Sequence, residues 1–193
     1  MRTDSIRYLI VPGWQGSPDG HWQHHWHDTL PNSEWLEQAD WNHPQKDHWV
    51  SSLDHAIAST SKPTVLIAHS LGCITVAHWA GQAPLARVGR VQGALLVAPA
   101  DVERPNRPSP LADFAPVPRQ PLPFPSQVVA SDNDPAASVA RALEMARDWG
   151  AEAGILSGAG HINVKSGHHR WDQGFAYLYR LQSRAQRNGL RRA

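Results

Sequence analysis

Val65-Leu66-Ile67-Ala68-His69-Ser70-Leu71-Gly72 runs an apolar segment straight into Ser-x-Gly, and mostly small and apolar residues follow as far as Gln82. A strand, a sharp turn and a helix in that order would lift the Ser70 hydroxyl out of a sheet at the strand's carboxyl end. The helix amino terminus favours negative charge at the same spot. Only small side chains fit beside such a turn. Ala68 stands where a first glycine is usual, a change that sterics tolerate. Taken alone, the eight residues also read as an ordinary strand-to-helix turn with Ser70 as a capping residue.

Around this stretch the chain alternates short apolar runs with longer amphipathic ones. Residues 7–11, 64–68, 93–98 and 127–131 are compact, rich in Val, Ile and Leu, and bounded by Pro or Gly, as buried parallel strands are. Residues 34–39 and 152–156 are weaker strand candidates. Helical patterns fall at 21–30, 45–59, 71–82, 135–149 and 167–183. Such alternation predicts an α/β fold, a doubly wound parallel sheet with helices on both faces. One α/β domain is expected over residues 1–183. The Arg-rich residues 184–193 are expected to be a frayed tail. Between residues 99 and 125 stand nine prolines in 27 residues. That density blocks both a helix and a central strand, so an ordered, irregular excursion across the sheet's end is expected there, with a disordered linker as the alternative.

The groups a nucleophilic serine needs follow in chain order. Acyl transfer requires a base to take the serine proton and a carboxylate to hold that base in one tautomer. Asp132-Asn133-Asp134-Pro135 follows the 127–131 run, and Gly158-Ala159-Gly160-His161 follows the 152–156 run. Strand carboxyl ends are where catalytic groups gather in open α/β sheets. Asp134 is the expected acid, ahead of Asp132 and Asp101, although it could instead cap a helix starting at Pro135. His161 is the expected base; His168 and His169 sit in a polar stretch and are expected to face water. An oxyanion hole would use the backbone N–H of Leu71 and a second one from the loop Val11-Pro12-Gly13-Trp14-Gln15-Gly16, where Trp14 is the candidate. That loop lacks the Walker lysine and the spaced glycines of a dinucleotide turn, which argues against phosphate binding.

Composition removes several other classes. Eighteen Lys and Arg against 17 Asp and Glu leave a formal charge of +1, so no strong field steers the chain onto nucleic acid or an anionic membrane. No apolar run approaches the ~20 residues of a spanning helix, and no signal peptide is evident, so a cytoplasmic protein is expected. Cys73 stands alone, which excludes an intrachain disulfide and fits a reducing compartment. As a nucleophile it is a weaker candidate than Ser70. The first 49 residues hold six of the 12 His and six of the nine Trp. His21 and His25 have the i, i+4 spacing of a zinc pair, but Trp22 stands where a metalloprotease needs Glu and no third ligand follows at motif spacing, so no metal is expected. Trp14, His21 and Trp22 are instead expected to line a substrate pocket, with Trp26, Trp35 and Trp49 as packing residues.

Several motifs occur together and in order: Pro12-Gly13-Trp14, His21-Trp22-Gln23, Trp26, Ala68-His69-Ser70-Leu71-Gly72, Val97-Ala98-Pro99-Ala100-Asp101, Ser131-Asp132-Asn133-Asp134-Pro135 and Gly158-Ala159-Gly160-His161-Ile162-Asn163. With them the chain resembles the small α/β-hydrolase family of bacterial serine esterases that also includes the mammalian retinoblastoma-binding serine hydrolase. The resemblance spans about residues 7–181. It implies a minimal, capless sheet of about six strands in order 2-1-3-4-5-6, with Ser70 as nucleophile, Asp134 as acid, His161 as base and no cofactor. It further implies a carboxylesterase acting on a small ester, with an amide as the next candidate. The Leu-x-Cys-x-Glu motif of the mammalian member has no counterpart here, so its protein partner does not transfer. Because a fold hosts many functions, a binding or interaction protein with weak turnover is the alternative reading.

Overall fold

In a computed structural model that describes residues 6–190, the elements follow as β1 (Arg7–Val11), α1 (Trp22–Thr29), β2 (Ser33–Trp35), α2 (Lys46–Ala58), β3 (Thr64–His69), α3 (Leu71–Gln82), α4 (Leu85–Val88), β4 (Val91–Val97), β5 (Ser126–Ser131), α5 (Val139–Asp148), β6 (Glu152–Leu156) and α6 (Phe175–Leu190). The strands form a six-stranded sheet in the order β2-β1-β3-β4-β5-β6, every neighbouring pair parallel. This is the expected doubly wound fold.

Alternation along the strands divides the core into two layers. Leu9, Val11, Leu66, Ala68, Leu96 and Val128 pack on one face with residues of α2, α3 and α5. Tyr8, Ile10, Val65, Ile67, Leu95, Val97 and Val129 pack on the other with Trp22 and Trp26 of α1 and Leu178 and Leu181 of α6. Pairing of Val11 with Ala68 and of His69 with Val97 brings the ends of β1, β3 and β4 level, so the loops leaving them meet at one edge of the sheet.

The proline-rich segment is ordered. It contains a 3-10 helix (Ser109–Phe114), and Leu111, Phe114, Val117 and Phe124 are buried in the core, which anchors it across the strand ends. Three boundaries differ from the sequence reading. β2 is only three residues long. Leu36 still donates to Ile10 O, but two residues of the following turn donate to the Asp40 carboxylate and pull the chain off the sheet. α5 starts at Val139 rather than Pro135, because the Asp134 carboxylate takes the Ala136 amide and Ser138 caps the helix by accepting from the Arg141 amide. α6 starts at Phe175 rather than Gly167, after Trp171 breaks the chain with φ 48°.

The same helix runs into the Arg-rich tail. Residues 184–190 are helical, and Arg184 is tied across the sheet edge by donating to Ser126 O at 2.5 Å and pairing with Glu152. The remainder of that tail, residues 191–193, lies outside the described residues.

Candidate active site

Ser70 sits between β3 and α3 with φ 54° and ψ −120°, a conformation that costs a non-glycine residue about 1–3 kcal/mol and persists only where its surroundings enforce it. Here they do. The Ser70 amide donates to Val97 O at 2.9 Å, and its carbonyl accepts from the Cys73 and Ala100 amides. Two glycines are required by close approach. A Cβ on Gly72 would lie 2.4 Å from Val11 O and 2.6 Å from Pro12 O. A Cβ on Gly13 would lie 2.8 Å from Ser70 Cβ and 3.3 Å from the Leu71 nitrogen. The loop after β1 therefore crosses directly over the turn. The Leu71 amide, first of α3, has no intrahelical acceptor, and the loop that crosses it carries the Trp14 amide.

The structure brings Ser70, His161 and Asp134 together. His161 Nε2 lies 2.9 Å from Ser70 Oγ, and His161 Nδ1 lies 2.9 Å from both Asp134 carboxylate oxygens. With Asp134 ionised, Nδ1 carries the proton and Nε2 is free to accept from the serine hydroxyl. The Asp134 side chain is 2% exposed, and Oδ1 also accepts from the Ala136 amide at 2.7 Å, so its orientation is fixed from two sides. The other two acids are occupied elsewhere. Asp132 accepts from Ser157 Oγ and the Gly158 amide. Asp101 is held by Arg141 Nε at 3.3 Å and by the Glu103 amide.

His161 rides on a loop pinned from both sides. Ser131, Asp132 and Asn133, three consecutive side chains at the end of β5, accept the amides of Ala159 (2.9 Å), Gly158 (2.7 Å) and Gly160 (2.7 Å). On the opposite flank, His69 Nε2 donates to His161 O at 2.9 Å and Trp22 Nε1 donates to Ile162 O at 2.9 Å. These bonds hold Ile162 at φ 46°, a rare backbone conformation for a β-branched residue. Sequence pattern alone does not single out His69 or this cradle. The available signals were a polar residue closing an apolar strand, and three short acceptor side chains that meet a Gly-Ala-Gly run only once β5 and β6 pair.

Trp22 is not a pocket wall. It is fully buried, edge-on to Trp26 and Trp171, because the first turn of α1 aims it into the core and not toward the cleft. Trp14 and His21 do border a cleft of about 530 Å³ that Ser70 and His161 also line. Leu111 and Pro108 of the proline-rich segment form part of its opposite wall, and Arg104 and Lys165 stand at it. Trp14 is fixed by its Nε1–H, which donates to Asn42 O at 2.9 Å. His21 caps α1, its Nδ1 accepting from the Gln23 amide, and burial pushes its pKa down to about 3. Trp26 and Trp49 are buried packing residues, and Trp35 is half-buried against His24. His25 lies 3.4 Å from Asp172. Among the described residues no group of three or more His, Cys, Asp or Glu is arranged to hold a metal ion. Cys73 is buried, burial pushes its thiol pKa up, and its Sγ donates to Val97 O, away from Ser70.

A parallel sheet in the order 2-1-3-4-5-6, with a serine on a strand-to-helix elbow and an acid and a histidine on later strand ends, defines an α/β hydrolase. The chain belongs to the serine hydrolase family, whose model matches residues 8–180. Among solved structures it is similar to a protein of Pectobacterium atrosepticum described as a YdeN-like hydrolase, with 30% identity, a TM-score of 0.83 and coverage of 95% of this chain and 94% of the other. The ydeN gene product of Bacillus subtilis shares 19% identity at a TM-score of 0.76, covering 93% and 99% of the two chains. An esterase of Thermogutta terrifontis shares the fold at 14% identity, a TM-score of 0.67 and coverage of 93% and 90%. No curated protein matches the sequence. No helix among the described residues is long and apolar enough to cross a membrane.

Proposed function

We propose that the chain is a carboxylesterase that cleaves small esters, and amides more slowly, through an acyl-enzyme on Ser70. The observation that carries this reading is the pair of 2.9 Å contacts running from Ser70 Oγ through the His161 ring to Asp134 at an open cleft. His161 Nε2 takes the proton as Ser70 Oγ bonds to the substrate carbonyl carbon, and Asp134 stabilises the imidazolium that results. The carbonyl oxygen becomes an oxyanion that accepts from the Leu71 and Trp14 amides. Collapse breaks the bond to the leaving group, which departs with the proton from Nε2. A water molecule, deprotonated by the same nitrogen, then attacks the acyl carbon; the bond to Ser70 Oγ breaks, Oγ takes the proton back from Nε2, and the acid is released.

The buried and neutral Cys73 suits a reducing cytoplasm, where the protein would act on a small molecule without a cofactor. A series of p-nitrophenyl esters of graded acyl length, run beside aminoacyl amides, tests the assignment. Turnover that is highest on short acyl esters and lost in Ser70→Ala is expected. Equal turnover by the Ser70→Ala protein overturns it.

A further inference from the structure

His21 carries a donor that the mechanism above does not use. Its Nδ1 accepts the Gln23 amide at 3.2 Å, so in the neutral ring the proton is on Nε2. That Nε2 is buried and has no hydrogen-bond partner among the described residues, while the 2% of the residue that remains exposed borders the cleft. A bare buried donor destabilises a fold unless a water or ligand atom completes it. Burial holds the ring neutral across ordinary pH, so the group is a fixed donor and not a switch. Its position narrows what it can meet. The rings of His21, His69 and His161 form a row with centroid separations of 4.8 and 4.9 Å. His161 must hand its proton to the departing oxygen, so the leaving group starts at the His161 end of this row.

We propose that the Nε2–H of His21 binds an acceptor oxygen on the leaving group, and that the preferred substrates are esters of alcohols bearing a further ether, hydroxyl or carbonyl oxygen. This deepens the acyl-transfer reading and rests on it. A plain alkyl leaving group of the same size leaves the donor bare. The difference amounts to about tenfold in kcat/KM.

The test compares 2-methoxyethyl and n-butyl esters of one short acid, each rate normalised to alkaline hydrolysis of the same ester. The two leaving groups have the same number of heavy atoms and differ by one oxygen. Wild type should favour the methoxyethyl ester about tenfold. In His21→Phe, and in His21→Asn, whose side-chain oxygen still caps α1 but whose amide is too short to replace Nε2, the ratio should fall to about one. A wild-type ratio of one or less overturns the inference without reference to any variant, as does a ratio preserved in a folded His21→Asn protein. Absence of turnover on both esters overturns the acyl-transfer reading, and this inference with it; turnover without preference overturns this inference alone.

Discussion

Replacing Trp22 with Phe should disable the site from behind, although Trp22 never touches the cleft. The change deletes the 2.9 Å bond to Ile162 O and leaves a buried carbonyl bare, at a cost of about 1–3 kcal/mol. The part of the indole that Phe cannot fill adds about 1 kcal/mol. Ile162 at φ 46° is held in a strained conformation by this bond and its neighbours, so the backbone next to His161 is free to relax. If only about 1.4 kcal/mol of the loss appears as displacement of His161 from Ser70, kcat drops tenfold. KM on a p-nitrophenyl ester should change less than about twofold, because the wall of the cleft is untouched. Trp26→Phe is the control. It loses a comparable bond, Nε1 to Arg170 O at 3.2 Å, in the same core layer but away from the base loop. Both variants should lose about 2–4 kcal/mol in urea unfolding, with kcat reduced only in Trp22→Phe. Equal kcat in the two variants would refute the view that Trp22 positions the base.

Three further outcomes follow from the same geometry. Gly72→Ala places a methyl group against two backbone oxygens that cannot rotate away, and should destabilise the fold by about 3 kcal/mol or more; wild-type stability in urea would contradict the close approach of β1 to the elbow. Acid should weaken the fold through His21, whose pKa is about 3 when folded against 6.5 when unfolded. The unfolded chain then binds the extra proton, so stability is full above pH 6.5 and is lost as the pH falls from there towards 3. Between pH 7 and 5 wild type should lose about 2 kcal/mol more than His21→Asn in urea titrations, with His69 shifted the same way by its burial. Asn133→Ala removes the acceptor for the Gly160 amide and should lower kcat more than Asp132→Ala, whose carboxylate serves the more distant Gly158; the reverse order in ester assays would contradict the cradle.

The strands were readable because a parallel sheet covered on both faces needs near-continuous apolar runs, and β1, β3, β4 and β5 supply them. Hydropathy overextends β2 because the strand's end is set by the Asp40 turn. Ser70 and His161 were legible from glycine and small-residue context beside strand ends. Asp134 needed chain order as well, since Asp132 stands two residues away with the same chemistry and only the loop path decides which one meets the imidazole. Trp22 and His21 show where pattern stops. They are adjacent at a helix start, and the change from the extended backbone of the cap to the first helical residue separates a cleft residue from a core residue. Which one faces the core depends on where the cap falls. The brace from His69 was hidden for a related reason, since its partner carbonyl lies 92 residues away.

The central claim is that Ser70 is the nucleophile activated by His161. Intact-mass measurement after exposure to a fluorophosphonate tests it most directly. One covalent adduct, mapped to Ser70, lost in Ser70→Ala and strongly slowed in His161→Ala, is the predicted result. An adduct that forms unchanged in Ser70→Ala, or none at all on the wild-type protein, would contradict it.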